Sequence, residues 1–355
     1  MLKRKGSHDG GSSHDSKELK EKKERNPNRR RILFFIILGW LLLLLGDRVD
    51  ELRVYQGALI AIYALAIGSL ILLTGYSGQI SLGHGAFMAI GAYAAALTQI
   101  YFAPPIIFTF FAAVIAAALF GALLGGGASR LSGPYLAGTT LALALGLPTL
   151  ANQFGFLGGE TGLTFDVGFP PESLGLEFTL YKWFYWIAGL ATLIMLWMTQ
   201  NILKSRYGRA WKAGRSNPAA AALVGLNVGR RKVLAFTVSA GVAGLSGALL
   251  GMISIVSPSA FPLSLSFAII TGAVLAGLTS LAGTIIGGLV LVIIPDIAET
   301  ISYNLGDSEA VVANLPGLIT SVLLILAVIL TPNGPAEQWH HHKEKKAKKA
   351  LAGGH

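Results

Sequence analysis

The sequence has no cysteine. Disulfides, thiolate metal sites and thiol nucleophiles are therefore excluded, and the compartment is left open. Charge is the second scarcity. Only 13% of the 355 residues are Asp, Glu, Lys or Arg, against about a quarter in soluble domains. The charge that exists is segregated. Residues 1–31 hold eleven Lys/Arg and five Asp/Glu, and residues 336–355 hold five Lys and two Glu. Six charged residues lie between Leu59 and Leu203, and none from Val233 to Pro295. That last run of 63 residues has the length of three hydrocarbon crossings at about 20 residues each. A soluble enzyme, a nucleic-acid binder and a disordered chain are all excluded. The chain reads as an all-α polytopic membrane protein.

The net charge of +10 comes from the tails and one loop, as when Lys and Arg are kept on the cytoplasmic side of a membrane. Residues 1–31 read as a disordered basic cytoplasmic tail, 32–334 as a transmembrane domain and 335–355 as a Lys/His-rich cytoplasmic tail. Within the domain, apolar segments run over 32–46, 54–73, 83–102, 105–127, 134–151, 180–201, 233–254, 265–279, 281–298 and 311–330. The first is followed by Asp47-Arg48-Val49-Asp50-Glu51 without a small-residue cleavage site, so it reads as a retained span rather than a signal peptide. The eighth and ninth are short enough to form a hairpin or re-entrant pair. Ten spans with both termini inside agree with the charges. The loop 152–179, expected outside, carries Glu160, Asp166, Glu172 and Glu177 and no base. The loop 202–232, expected inside, carries Lys204, Arg206, Arg209, Lys212, Arg215, Arg230, Arg231 and Lys232 and no acid. Only the loop near Arg48 and Arg53 mixes signs.

Forty-four glycines are many for helices in water, where each costs about 1 kcal/mol against alanine. In lipid, small residues let helix backbones approach closely. Gly121-xxx-Gly125, Gly247-xxx-Gly251 and Gly283-xxx-Gly287 fit packing within the subunit first and a seam between subunits second.

The most polar part of any span is Thr74-Gly75-Tyr76-Ser77-Gly78-Gln79-Ile80-Ser81-Leu82-Gly83-His84-Gly85-Ala86-Phe87. Its glycines allow a broken helix, whose freed backbone groups must be buried in protein or line a cavity. Such breaks are where transporters tend to hold substrate; a capped connection between helices is the structural alternative. Gly75-Tyr76-Ser77-Gly78 also has the GxSG pattern of intramembrane serine proteases, as does Gly244-Leu245-Ser246-Gly247. The only imidazole near is His84, two helical turns or about 10.5 Å beyond Ser77, too far for nucleophile activation. No span has a central carboxylate, which argues against a proton relay and leaves a passive channel as the alternative from another class. No Gly-Lys dipeptide, and so no P-loop, occurs in the chain. If ATP drives transport, ATP and Mg are held by another polypeptide and this chain carries no cofactor. His340-His341-His342 belongs to a solvated tail.

The basic loop contains Asn217-Pro218-Ala219-Ala220-Ala221-Ala222-Leu223-Val224-Gly225. Asn217 can cap a helix, Pro218 suits its first turn, alanines extend it and Gly225 can end it. A short helix on the cytoplasmic face, flanked by eight cations, suits docking to a partner; a loop lying against anionic lipid headgroups is the plainer reading.

At these residues the chain resembles the permease subunits of branched-chain amino-acid ABC importers, the LivH/LivM family, and the LivM type within it. The resemblance is carried by Gly75–Gly91, Gly158–Thr164, Ser205–Gly247 and Val274–Gly288, in order and spacing over Ala58–Gly334. It implies that Ala219–Gly225 is the ATPase-coupling segment, with Ala219 where the general EAAxxxG pattern has Glu, Ala220 and Ala221 at the alanines, and Gly225 at the glycine. It also implies an inner-membrane, multi-pass permease working with two cytoplasmic ABC ATPases, a second permease (a heterodimer) and a periplasmic substrate-binding protein. The permease itself is not an enzyme. Urea and short-amide importers share the pattern and form the alternative substrate class. Gln79, His84, Thr139, Thr140 and Glu160 are the candidate polar groups along a translocation path.

Overall fold

The computed structural model describes residues 50–128, 134–174 and 178–305, with isolated positions before 50 and after 314. The chain divides into residues 1–48 and 49–355; in the first unit only Ile37 and Gly39 are described, both helical. The second unit holds ten α-helices among its described residues. They are α1 (Glu51–Leu70), α2 (His84–Phe102), α3 (Ile106–Ala128), α4 (Pro134–Gln153), α5 (Leu180–Lys204), α6 (Arg206–Ser216), α7 (Pro218–Leu223), α8 (Val228–Ile253), α9 (Leu263–Ala276) and α10 (Thr284–Leu305). A π-helical turn, Ile71–Tyr76, continues α1. Among the described residues, seven segments are long and apolar enough to cross a membrane: Glu51–Tyr76, His84–Phe102, Ile106–Gly127, Leu180–Lys204, Val228–Ile253, Pro258–Ala276 and Leu281–Ser302. This is a multi-pass helical membrane protein.

Eight expected spans, 54–73 to 281–298, each overlap one described helix, α1 to α5 and α8 to α10. The spans 32–46 and 311–330, both tails, Arg130 and Glu177 lie outside the described residues, apart from isolated positions in those two spans. Helix ends differ from the apolar boundaries where a cap, not the end of a hydrophobic run, sets the terminus. α8 begins at Val228 rather than Val233 because the Asn227 side chain accepts from Arg230 N at 3.0 Å and starts the helix in basic sequence. α10 runs through Glu299 to Leu305, which makes the ninth segment a 22-residue helix rather than a short one. α9, by contrast, has only 14 residues, about 21 Å of rise.

The long helix α8 is the centre of the bundle. Its second half, Ser239 to Met252, is buried throughout, as suits a helix without a polar stripe. The small residues decide its neighbours. A β-carbon on Gly121 or Gly125 of α3 would run into Ala240 or Phe236 of α8. One on Gly247 would fall on the Met88 carbonyl of α2, and one on Gly251 would meet Ala92, also of α2, and Val256. Gly283 and Gly287 at the start of α10 lie against the Ala276 and Gly272 carbonyls of α9, so α9 and α10 form an antiparallel hairpin. All three GxxxG pairs serve packing within this chain.

Candidate functional site

Two helices of the bundle begin part-way along it, and they begin together. After the π-turn, residues 78–83 are not helical, and α2 starts at His84. His84 is fully buried, and its Nε2 lies 3.1 Å from Ser239 Oγ. Ser239 stands 11 residues into the 26-residue α8, near its midpoint. On the other side of α8 the chain turns back. Leu163 and Val256 exchange two backbone hydrogen bonds of 2.9 and 2.8 Å, and Val256 reaches Gly251. From there the chain runs along α2 to Pro262, where α9 starts. Ser266 Oγ of α9 then accepts the backbone N–H of Gly85 at 3.0 Å. The α2 and α9 N-termini thus meet at the middle of the bundle, and irregular backbone leads to each from opposite ends.

The polar groups around His84 are saturated by protein. Ser239 donates to the Ser69 carbonyl (2.7 Å), which leaves its oxygen to accept Nε2–H of His84; Nδ1 faces Ser81 Oγ at 3.2 Å. A neutral imidazole protonated on Nε2 satisfies the set. Thr140 Oγ1 accepts the Leu82 N–H at 2.9 Å and ties the break to α4. Neither GxSG serine meets the imidazole: Ser77 accepts from Gln79 Nε2 (2.7 Å), and Ser246 donates to the Ile62 carbonyl (2.8 Å).

The surface beside the junction differs in kind from the rest. α3 exposes Ile107, Phe108, Phe111, Ile115, Leu119 and Leu123, a face suited to acyl chains. α4 exposes Tyr135, Gly138, Thr139, Ala142, Leu145 and Thr149 along one side. Next to it, Ser259 and Pro262 of the irregular segment and Ser264 in the first turn of α9 are also exposed. Non-helical backbone at this depth is tolerated only against protein or water.

The structure therefore separates the candidate path residues. Gln79, His84 and Thr140 are buried in the junction, and Thr139 is exposed on α4 with its hydroxyl donating to the Leu136 carbonyl at 2.8 Å. Glu160 is exposed in the far-end loop, in a turn whose Gly158, Gly159 and Gly162 have φ of +82, +53 and +75°. That conformation explains the glycines of the Gly158–Thr164 motif.

At the basic end, α7 forms as its residues dictate. Asn217 Oδ1 accepts from Ala220 N at 3.0 Å, and Pro218 takes the first turn. The Gly225 N–H donates to the Ala222 carbonyl and the Leu226 N–H to the Ala221 carbonyl, both at 3.0 Å, with Gly225 at φ +82°. This is a Schellman stop. Ala221 is buried, whereas Ala219, Ala220, Leu223 and Val224 are exposed, Leu223 to 89%.

Sequence reasoning did not anticipate α6. Ser205 caps it by accepting from Tyr207 N at 3.1 Å, and Trp211, the anchor, is 2% exposed with Nε1 donating to the Arg231 carbonyl at 2.8 Å. The Ser205 cap and a lone Trp among cations were the available signals. Tyr207 lies near Arg206 and Arg231. The hydrogen bond from Arg206, and then the two positive charges, hold its phenol below the usual pKa of 10.0. No group of three or more His, Asp or Glu that could hold a metal occurs among the described residues.

A helical membrane bundle with discontinuous helices meeting at its centre, and a capped helix exposed at its basic end, has the build of a transporter permease. The chain belongs to the family described as branched-chain amino acid transport system / permease component, whose model matches residues 54–330. It is similar to the high-affinity branched-chain amino acid transport system permease protein LivM of Escherichia coli K12, 29% identical over 85% of this chain and 73% of the relative. LivH of the same strain is 32% identical over 46% of this chain and 49% of that protein. BraD of Pseudomonas aeruginosa is 31% identical over 40% and 43% respectively. No solved structure matches.

Proposed function

We propose that the chain is a permease subunit of an ATP-driven importer that carries branched-chain or other apolar amino acids across the bacterial cytoplasmic membrane. The observation that carries this reading is the central junction of α2 and α9. Two helix N-termini meeting mid-bundle are the arrangement from which transporters build substrate passages, and in a LivM-like chain the cargo is the one its relatives are named for. The exposed face of Thr139, Ala142 and Thr149, with Ser259 and Ser264, would form one wall of the passage. A second, different permease supplies the opposite wall, in keeping with LivM and LivH being separately named permeases of one strain.

In this reading the chain has ten spans with both termini and the basic loop cytoplasmic, and α7 docks on one of two ABC ATPases. Those ATPases hold ATP and Mg, and a periplasmic binding protein delivers the amino acid to the end bearing Glu160. ATPase closure shifts the passage only if the ATPases bind its two states with different affinity. Replacing Leu223 with Asp tests the docking. The expected result is loss of ATPase co-purification with an otherwise intact membrane complex. Retention of the ATPase would place the docking elsewhere.

A further inference from the structure

We infer that Arg215, on α6, is the positioning residue that connects the ATPase-docking helix to the break in α1; the inference rests on the importer reading above. α7 has little grip on the bundle, since only Ala221 of it is buried. It is joined to α6 through Asn217 alone. The Asn217 N–H closes α6 on the Ala213 carbonyl at 3.1 Å, while the Asn217 side chain caps α7 at 3.0 Å. One residue thus ends one helix and starts the next, so a displacement of α7 is passed to α6. α6 in turn is anchored by buried Trp211 to the first turn of α8.

From that anchored helix two cations reach the end of α1. The Arg215 guanidinium donates to the Gly75 carbonyl. Its methylenes cover Gly78, which has φ +72° and where a β-carbon would lie 2.8 Å from Arg215 Cγ. The Lys212 ammonium sits 4.7 Å from the centroid of the Tyr76 ring. The opposite side of the same four residues is held by the α9–α10 turn. Gly75 abuts the Leu278 carbonyl so closely that no side chain fits, and the Tyr76 hydroxyl donates to the Thr279 carbonyl at 3.3 Å.

Gly75–Gly78 is therefore gripped between α6 and the hairpin. It lies where the backbone leaves α-geometry: the π-turn ends at Tyr76 and a left-handed glycine follows. Such insertions in helices mark functional bends. The next residue, Gln79, ties the break to the Lys232 carbonyl at 3.2 Å, while its own Oε1 is buried without a partner. A buried acceptor left unpaired makes this arrangement less favourable than one that supplies a donor, as befits a segment with two states. Movement of α7 by the ATPase acts through α6 and Arg215 on Gly75, and so on the junction where α2 begins. α7 supplies the docking, and α6 supplies the lever.

The test uses the complete complex with its ATPases and second permease, reconstituted in proteoliposomes with the binding protein and radiolabelled leucine. Arg215→Met should co-purify with the ATPases and keep the basal ATP hydrolysis rate. It should transport roughly tenfold less leucine per ATP hydrolysed, within the usual range of coupling effects, and lose stimulation of hydrolysis by loaded binding protein. Arg215→Lys, which keeps one donor for the carbonyl, should recover part of the ratio. A wild-type ratio in Arg215→Met overturns the inference. Loss of the ATPase from that variant overturns it too, because Arg215 would then be a docking residue. A wild-type complex that does not move leucine with ATP contradicts the importer reading itself, and the inference falls with it.

Discussion

At the scale of single residues, glycine and serine decide how closely helices approach in spans with almost no charge to arrange. Gly247→Ala places a methyl group on the Met88 carbonyl. Separating α2 from α8 is expected to cost about 1–3 kcal/mol, seen as a lower melting temperature of the detergent-solubilised protein. Gly127→Ala, where no atom lies within 4 Å of the added carbon, should leave the melting temperature unchanged or slightly raised, since alanine is the better helix former. Equal shifts in the two variants would contradict the packing argument. Ser239→Ala removes the hydroxyl that both accepts from His84 and donates to the Ser69 carbonyl. Two buried groups lose their partner, and a destabilisation of about 1–3 kcal/mol is expected in the same melting assay.

At the scale of elements, the informative one is α7. Gly225 has φ +82° and open space around it, so substitution there acts through backbone conformation rather than through a clash. Gly225→Ala should weaken the stop by about 1–2 kcal/mol, whereas Gly225→Asn, which tolerates the left-handed region, should retain most of it. The expected readout is a lower leucine-to-ATP ratio in the alanine variant and near-normal coupling with asparagine. Identical behaviour would remove Gly225 from the coupling path. This element was fully legible in the sequence, because Asn217, Pro218 and Gly225 act within a few residues of one another. α6 was not. Its amphipathic pattern is masked by four cations, and its helical state depends on Trp211 finding the Arg231 carbonyl 20 residues away. The junction was half legible. Gly75 to Gly85 announced a broken helix, but nothing local to Ser266 says that it accepts from Gly85 across 181 residues.

At the scale of the whole molecule, scarcity of charge has one consistent meaning. The interior of the described bundle is built from small and apolar side chains, and His84, Ser239 and Ser266 spend their polar groups on partners within the protein at the α2–α9 junction. Such a chain can shape a passage and hold its two ends, and in the proposed importer the energy to switch it enters through the basic end. Sequence alone located eight of its ten expected spans on described helices through their apolar runs, and singled out the basic end through its eight cations. The meeting of the α2 and α9 N-termini emerged only in three dimensions. The central claim is ATP-driven import of apolar amino acids. It is tested most directly by reconstituting the chain with its ATPases, second permease and binding protein in liposomes, and measuring uptake of radiolabelled leucine and urea with ATP on the ATPase side. The account predicts leucine accumulation that requires both ATP and the binding protein, with no urea accumulation. Leucine flux that proceeds without ATP, or accumulation of urea in place of leucine, would contradict it.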